Sequence, residues 1–173
     1  MKLYFAPGAC SLSPHIVLRE AGQKFDLVQV DLKEKKTKDG NDFNQINGKG
    51  QVPTLETDDG FTLTEGPAIV QYAGDKNPGS KVVPAAGTQE RYQVQEWLNF
   101  ITSELHKNFG PLFRPTTPDA YKAIAKEAIA GVGSMGSMRT MAISIAATSL
   151  VKRCCTCRMM NPHSVIGLSL YGQ

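Results

Sequence analysis

Short apolar segments separated by polar turns predict three elements in the first 31 residues. A strand is expected at Lys2–Phe5, and a Pro-Gly pair follows it. Apolar residues between Leu12 and Leu18 recur at the spacing of a helix, and Gly22 is placed to end that helix. A second strand is expected over residues 25–31, where apolar and polar residues alternate. The predicted order is therefore β-α-β.

A hairpin and a helix are expected after a polar stretch. Residues 33–50 are rich in Lys, Asn and Gly, which favours irregular structure with room for a short helix. Val52–Glu56 and Phe61–Leu63 flank an Asp-Asp-Gly turn, which is typical of a β-hairpin. Thr64 is expected to cap a helix with Pro67 in its first turn. The order β-α-β, then β-β-α, predicts a thioredoxin-like α/β domain.

The second half of the chain has a helical pattern. Residues 77–87 are Pro, Gly, Ser and Ala rich and are expected to form a linker. A long amphipathic helix is expected from Thr88 to about Lys107, and a second one over residues 117–129 after prolines that break the chain, the first being Pro111. We expect a thioredoxin-like domain over 1–78, the start of an all-α domain over 88–130, and an atypical tail over 131–173.

The tail differs in composition from the rest of the chain. Residues 128–173 contain four basic residues, no acidic residue, five of the six methionines and three of the four cysteines. A basic surface for a partner is one interpretation. The other is a shifted reading frame, which we favour because the Cys, Met and Ser residues show no periodicity. On that interpretation the all-α domain is incomplete.

Composition excludes several function classes. A net charge of +3 is too small to indicate nucleic-acid binding. Pro7 and Gly8 interrupt the start of the sequence before an apolar stretch of signal-peptide length can form, and the longest later apolar run, Ala142–Val151, is far short of the roughly 20 residues that cross a bilayer. The cysteines do not have the distribution of a secreted disulfide framework, and the cluster at Cys154, Cys155 and Cys157 with His163 lacks the spacing of a zinc site. We therefore expect a cytoplasmic protein with reduced thiols and no metal.

Cys10 is the first candidate for chemistry. It lies between the first strand and the first helix, where backbone N–H groups and the helix dipole favour an anion and lower a thiol pKa. Ser13 stands where a dithiol oxidoreductase would carry its second cysteine, so a mixed disulfide with an external thiol would not be resolved internally. The alternative is a small buried apolar residue.

Two further segments suit a peptide-like ligand. Val52-Pro53 is a candidate cis bond that would turn the Val52 backbone toward the Cys10 helix end, ready for main-chain hydrogen bonds. Glu65 and Gly66 begin a helix whose N–H groups suit a carboxylate, while Glu65 could accept from an ammonium group. The alternative for the latter pair is a simple helix cap.

A polar stripe is the last candidate. Asn99, Ser103 and His106 fall at i, i+4 and i+7 of the predicted long helix, opposite its apolar face. Such a stripe is also what a solvated helix surface looks like. Lys107 adds a cation beside His106, and either side chain could help to hold a thiolate.

Residues 1–127 resemble the bacterial beta-class glutathione transferases in four stretches that occur in the family's order and spacing. The stretches are Met1–Tyr4 with Pro7–Leu12, Gly50–Leu55, Leu63–Ile69, and Glu96–Phe100 with Glu104–Lys107. The resemblance implies a thioredoxin-like domain, an all-helical second domain and a homodimer. It also implies a cytoplasmic detoxification enzyme that conjugates glutathione, as co-substrate, to small hydrophobic electrophiles.

The resemblance implies a role for ten residues. The residue matching Cys10 contacts or disulfide-bonds the glutathione sulfur, and His106 or Lys107 would assist the thiolate. Lys35 would reach the glycine end, Val52 would bind through its backbone, and Glu65 with Gly66 would hold the γ-glutamyl end. The site would be completed, near the thiol and across the dimer interface, by Asn99, Ser103, Glu104, His106 and Lys107.

The chain departs from the family after about Ala130. The Ser/Thr-x-x-Asp capping box that opens the family's central core helix is missing. That helix packs under the one carrying Asn99 to His106, so losing it would expose several apolar residues at roughly 1.5–3 kcal/mol each. The alternative to an active transferase is therefore a non-catalytic or poorly folded product that still binds glutathione.

Overall fold

A five-stranded sheet lies within residues 1–133, the part of the chain that the computed structural model describes. The strands are β1 Lys2–Phe5, β2 Asp26–Asp31, β3 Lys36–Thr37, β4 Thr54–Glu56 and β5 Thr62–Thr64. Their order is β3-β2-β1-β4-β5. β1 and β2 are parallel, whereas the other neighbours are antiparallel. This topology confirms the predicted thioredoxin-like domain.

The buried face of β2 is not the face that carries Phe25 and Leu27 in the sequence pattern. β2 begins after Phe25, and Leu27 is 38% exposed. Val28 and Val30 instead belong to a cluster with Tyr4 and Phe43. Because Leu27 and Val28 are adjacent apolar residues, the alternation in the sequence did not determine which face is buried.

The polar stretch before β4 contains two short elements. The helix α2, Phe43–Ile46, confirms the short helix expected there, and Asp42 caps it by accepting from the Asn44 N–H at 2.9 Å. The strand β3 was not predicted. It has two residues and pairs with the end of β2, and its polar composition carries no strand pattern.

The helices α1, Leu12–Glu20, and α3, Gly66–Lys76, pack against each other. Gly22 ends α1 as predicted: its φ is +67°, its N–H donates to Arg19 O, and the Gln23 N–H donates to Leu18 O. The start of α3 was predicted wrongly by one residue. Thr64 pairs within β5, so Glu65 becomes the N-cap residue, without a side-chain capping bond.

Arg91 joins the linker and α4, Gln89–Phe100, to α3. It is 4% exposed, and its guanidinium donates to Asp75 at 2.5 Å, to the Pro84 carbonyl at 2.6 Å and to Gln71 at 3.2 Å. The first compact unit accordingly extends from Met1 to Thr102. The domain limits at residues 78, 88 and 130 were drawn from composition, and they stay a prediction.

The second compact unit begins at Ser103 and is described up to residue 133. A π-helical segment, Ile101–His106, spans the boundary, followed by α5, Lys107–Phe113, and α6, Asp119–Gly133. The chain is continuously helical from Gln89 to Phe113, which confirms the long helix expected to about Lys107, but its backbone is π-helical over Ile101–His106. The prediction that Pro111 breaks the chain is wrong, because α5 contains that residue and ends two residues after it.

No helix within residues 1–133 has the length and apolar character needed to cross a membrane. Predictions for the atypical tail beyond residue 133, including its Cys and His cluster, lie outside the described residues.

Candidate functional site

The loop before α1 presents Cys10. The buried Ser11 hydroxyl accepts from the Ala6 N–H at 3.3 Å and donates to the Ala6 carbonyl at 3.2 Å, which closes the loop between β1 and α1. Ser11 is the N-cap residue, so Cys10 lies one position before the cap. The Cys10 carbonyl accepts from the Ser13 N–H at 3.3 Å, and the side chain is partly buried. The thiol therefore lies at the entrance of α1.

Val52, in the loop before β4, lies beside this thiol. The Cys10 Sγ donates to the Val52 carbonyl oxygen at 3.5 Å. The Val52–Pro53 bond is cis, as the sequence predicted. The Val52 side chain is 8% exposed and packs in the cluster that contains Tyr4 and Phe43. Its side chain thus anchors the residue while its backbone lies at the thiol.

Asn47 braces the loop that leads to Val52. This residue is 6% exposed, and its amide donates to the Gln51 carbonyl at 2.8 Å and to the Thr54 hydroxyl at 3.0 Å. Thr54 also donates to the Gln51 carbonyl at 3.0 Å. Sequence reasoning missed this support, because one Asn in a stretch rich in Asn and Gly has no distinguishing pattern.

Glu65 and Gly66 lie beside the cis-proline. A Cβ on Gly66 would be 4.0 Å from Pro53 Cγ, which places the start of α3 next to the Val52-Pro53 bond. Glu65 has a φ of +70°, and its carboxylate is 58% exposed and bonded to Lys49 Nζ at 2.8 Å. The Glu65 carboxylate therefore extends from the helix start rather than folding back as a cap.

Lys35 approaches the same loop from the chain after β2. Its Nζ donates to the Gly50 carbonyl at 2.8 Å, two residues before Val52. The Lys35 backbone is left-handed, with φ +54°, and its carbonyl accepts from the Phe43 N–H at 2.8 Å. The first unit therefore gathers five predicted residues around one loop, namely Cys10, Lys35, Val52, Glu65 and Gly66.

Tyr4, which packs near Val52, is engaged elsewhere. Its hydroxyl donates to Glu56 Oε2 at 2.8 Å. Burial, followed by the bond to and the charge of Glu56, raises the Tyr4 pKa to about 12. The same hydrogen bond, with that from Lys2, lowers the Glu56 pKa. Tyr4 therefore stays a neutral phenol at physiological pH.

The other predicted site residues belong to the helical region. Asn99 is near the end of α4, Ser103, Glu104 and His106 are in the π-helical segment, and Lys107 begins α5. All five are exposed. A π-helix bonds i to i+5, so the i, i+4, i+7 stripe predicted for a regular helix does not follow from this backbone. Within the second unit, Ser103 and Lys107 line a cleft of about 280 Å³ that also includes Arg114 and Tyr121.

Among residues 1–133, no cluster of three or more His, Cys, Asp or Glu side chains could hold a metal ion.

Comparison with known proteins gives the family. Residues 1–75 match the family described as glutathione S-transferase, N-terminal domain. Over 122 residues the chain is 53% identical to the glutathione S-transferase GstA of Escherichia coli O157:H7. The aligned region covers 70% of this chain and 61% of GstA. The chain thus spans less than two thirds of that relative.

Solved structures agree. A sphingomonad glutathione S-transferase complexed with glutathione is 47% identical, with a TM-score of 0.78 over 83% of this chain and 70% of that one. A bacterial beta-class enzyme from Sphingomonas chungbukensis is 48% identical, with a TM-score of 0.75 over 77% and 66% of the two chains. The chain belongs to the glutathione S-transferase family and is similar to its bacterial beta-class members.

Proposed function

We propose that this chain binds glutathione along the loop that joins Cys10, Val52 and Glu65, and transfers it to small hydrophobic electrophiles. The observation that carries the proposal is the contact between the Cys10 thiol and the Val52 carbonyl at 3.5 Å. This contact places the Cys10 sulfur next to the backbone of Val52, a loop residue outside the sheet. A cysteine-containing tripeptide needs that pairing of groups.

The proposed pose follows from the charges around that contact. The cysteinyl part of glutathione would bond to the Val52 backbone, as a strand bonds to a sheet edge. The γ-glutamyl ammonium would meet the exposed Glu65 carboxylate, and the Gly66 N–H at the start of α3 would face the γ-glutamyl carboxylate. Lys35, held against Gly50, would reach the glycine carboxylate.

The proposed chemistry is nucleophilic substitution or addition by glutathione. The start of α1 favours the thiolate form of bound glutathione, and this thiolate attacks an electrophilic carbon. A sulfur–carbon bond forms. In a substitution the leaving group departs, and in an addition the carbon skeleton takes up a proton. His106 and Lys107 are proposed to assist the thiolate, with Asn99, Ser103 and Glu104 completing the site. We further propose that two copies pair as a homodimer and that the protein works in the cytoplasm.

Thiol–disulfide exchange is a second candidate, and the position of Cys10 favours it. The Cys10 thiolate would attack the glutathione sulfur of a disulfide between glutathione and a substrate thiol, forming a Cys10–glutathione disulfide and releasing the substrate thiolate. A second glutathione would then attack the mixed disulfide, releasing glutathione disulfide and restoring Cys10. Ser13 stands where an internal resolving cysteine would be, so an external thiol has to complete the cycle.

The rival is a non-catalytic product that binds glutathione only weakly or fails to fold and dimerise, because the sequence departs from the family pattern after about Ala130. Glutathione resin and size-exclusion chromatography test it. The proposal expects retention on the resin and a single dimer peak. Aggregation, or passage through the resin, would contradict the proposal and leave the rival.

The Cys10→Ala variant separates the two chemistries. Wild type, Cys10→Ala and the control Ser13→Ala would be assayed for conjugation of 1-chloro-2,4-dinitrobenzene and for glutathione-dependent reduction of hydroxyethyl disulfide. We expect Cys10→Ala to retain conjugation and lose the reduction, with Ser13→Ala close to wild type in both. Loss of both activities in Cys10→Ala, with the fold intact, would instead make Cys10 essential to conjugation.

A further inference from the structure

Lys49 lies beside Glu65, and the proposed function assigns it no role. Its Nζ is 2.8 Å from Glu65 Oε1 and 3.0 Å from the Thr64 hydroxyl. The Lys49 and Glu65 side chains are 54% and 58% exposed. Such an exposed ion pair contributes little to folding stability, so its placement at the start of α3 needs another explanation.

Both members of the pair are held by well-fixed backbone. The Lys49 N–H donates to Asn47 Oδ1 at 3.1 Å, and Asn47 is itself 6% exposed and bonded to Gln51 and Thr54. Glu65 follows β5 directly and carries the left-handed φ of +70° that begins α3. A positive and a negative group are therefore presented together, both facing solvent, beside the cis-proline.

A pair of this kind is complementary to an α-amino-acid head group. Such a head group carries an ammonium and a carboxylate on one carbon, so it needs an anion and a cation a few ångström apart. In glutathione the γ-linkage leaves both groups of the glutamyl residue charged. Glu65 supplies the anion, and Lys49 is the cation bonded to that same carboxylate.

Resting on the proposed function, we infer that Lys49 binds the α-carboxylate of the γ-glutamyl group and makes the site selective for ligands that carry it. On binding, the ligand ammonium pairs with the Glu65 carboxylate in place of Lys49, and the ligand carboxylate pairs with the Lys49 ammonium in place of Glu65. The resident ion pair is thus exchanged for two charge-assisted bonds to the ligand.

Calorimetric titration of Lys49→Met with three ligands tests the inference. The ligands are S-methylglutathione, its analogue without the α-carboxylate, and its analogue without the α-amino group. Lys38→Met is the matched control, since Lys38 is also exposed and lies in the chain before α2. We expect Lys49→Met to raise the Kd of the two carboxylate-bearing ligands by about 5- to 10-fold, to leave the decarboxylated analogue within about twofold, and Lys38→Met to change none.

The outcomes distinguish the inference from the function on which it rests. Equal weakening of all three ligands would mean that Lys49 only positions Glu65, which overturns the inference. Unchanged binding of every ligand overturns it as well. If wild-type protein binds none of the ligands, the proposed function itself fails. Circular dichroism of Lys49→Met checks that any loss of binding is not a loss of fold.

Discussion

The Cys10 thiol donates a hydrogen bond to the Val52 carbonyl at 3.5 Å, although 42 positions separate the two residues in the chain. One residue comes from the β1–α1 loop and the other from the loop before β4. The contact is set by a clamp on each side: Ser11 closes the first loop onto Ala6, and Asn47 braces the second.

Asn47→Ala should loosen the loop that carries Val52. The variant removes the donor to Gln51 and to Thr54 at a buried position, so we expect a loss of about 1–3 kcal/mol in the free energy of unfolding and a higher Kd for glutathione. Urea unfolding and calorimetric titration measure the two effects. Asn41→Ala, at an exposed position, is the control. Wild-type stability and affinity in Asn47→Ala would contradict the bracing role.

Arg91→Met should weaken the attachment of α4 to α3. The guanidinium is buried, and its loss removes the donor to the Pro84 carbonyl and the cation beside Asp75, whereas Gln71 still accepts from Gln95. We expect the free energy of unfolding to fall by about 2–4 kcal/mol. Urea unfolding followed by Trp97 fluorescence measures it, with Arg114→Met as a control at an exposed arginine. An equal effect of the two variants would refute the special contribution of Arg91.

Gly74→Ala should strain the contact between α3 and the linker. A Cβ at this position would be 2.5 Å from Val83 Cγ2, so we expect destabilisation by about 1–3 kcal/mol despite the better helix propensity of Ala. Adding Val83→Gly, which removes both Cγ2 and the Val83 Cβ that would lie 2.6 Å away, should restore part of the loss. Gly110→Ala, where a Cβ meets nothing within 4 Å, should leave thermal stability unchanged or slightly higher. No recovery in the double variant would rule out this clash as the cause.

Alkaline stability should depend on Tyr4. Its pKa is raised from 10.0 to about 12 in the folded protein, so the folded state holds the proton more tightly than the unfolded chain does. That contribution is fully present below about pH 10 and is lost as the pH rises through about 12. It amounts to about 2–3 kcal/mol. Urea unfolding between pH 9 and about 12 should show a steeper decline in wild type than in Tyr4→Phe, and parallel curves would contradict the assignment.

The sequence predicted the features that depend on local pattern. The strand β1, the Asp-Asp-Gly hairpin, the glycine end of α1 and the cis bond before Pro53 each follow from a few neighbouring residues. The sequence order of these elements then leaves few topologies, and the thioredoxin-like one is observed.

Features that depend on distant partners were not predictable in the same way. The Lys49–Glu65 and Arg91–Asp75 pairs each join residues 16 positions apart through tertiary packing. The N-cap at Glu65 results from Thr64 pairing in β5, and the π-helical segment at Ile101–His106 has no sequence signal that a period of 3.6 would reveal. The joint action of Cys10 and Val52 with the exposed residues from Asn99 to Lys107 stays a prediction.

If glutathione occupies the site beside Cys10, a bound glutathione analogue should protect that thiol from alkylation. The rate of iodoacetamide modification at each cysteine would be followed by peptide mass mapping, with and without saturating S-methylglutathione, which cannot form a disulfide. We predict that the ligand slows modification of Cys10 at least about tenfold, because the bound ligand would cover that thiol. An unchanged Cys10 rate in folded protein would contradict the account.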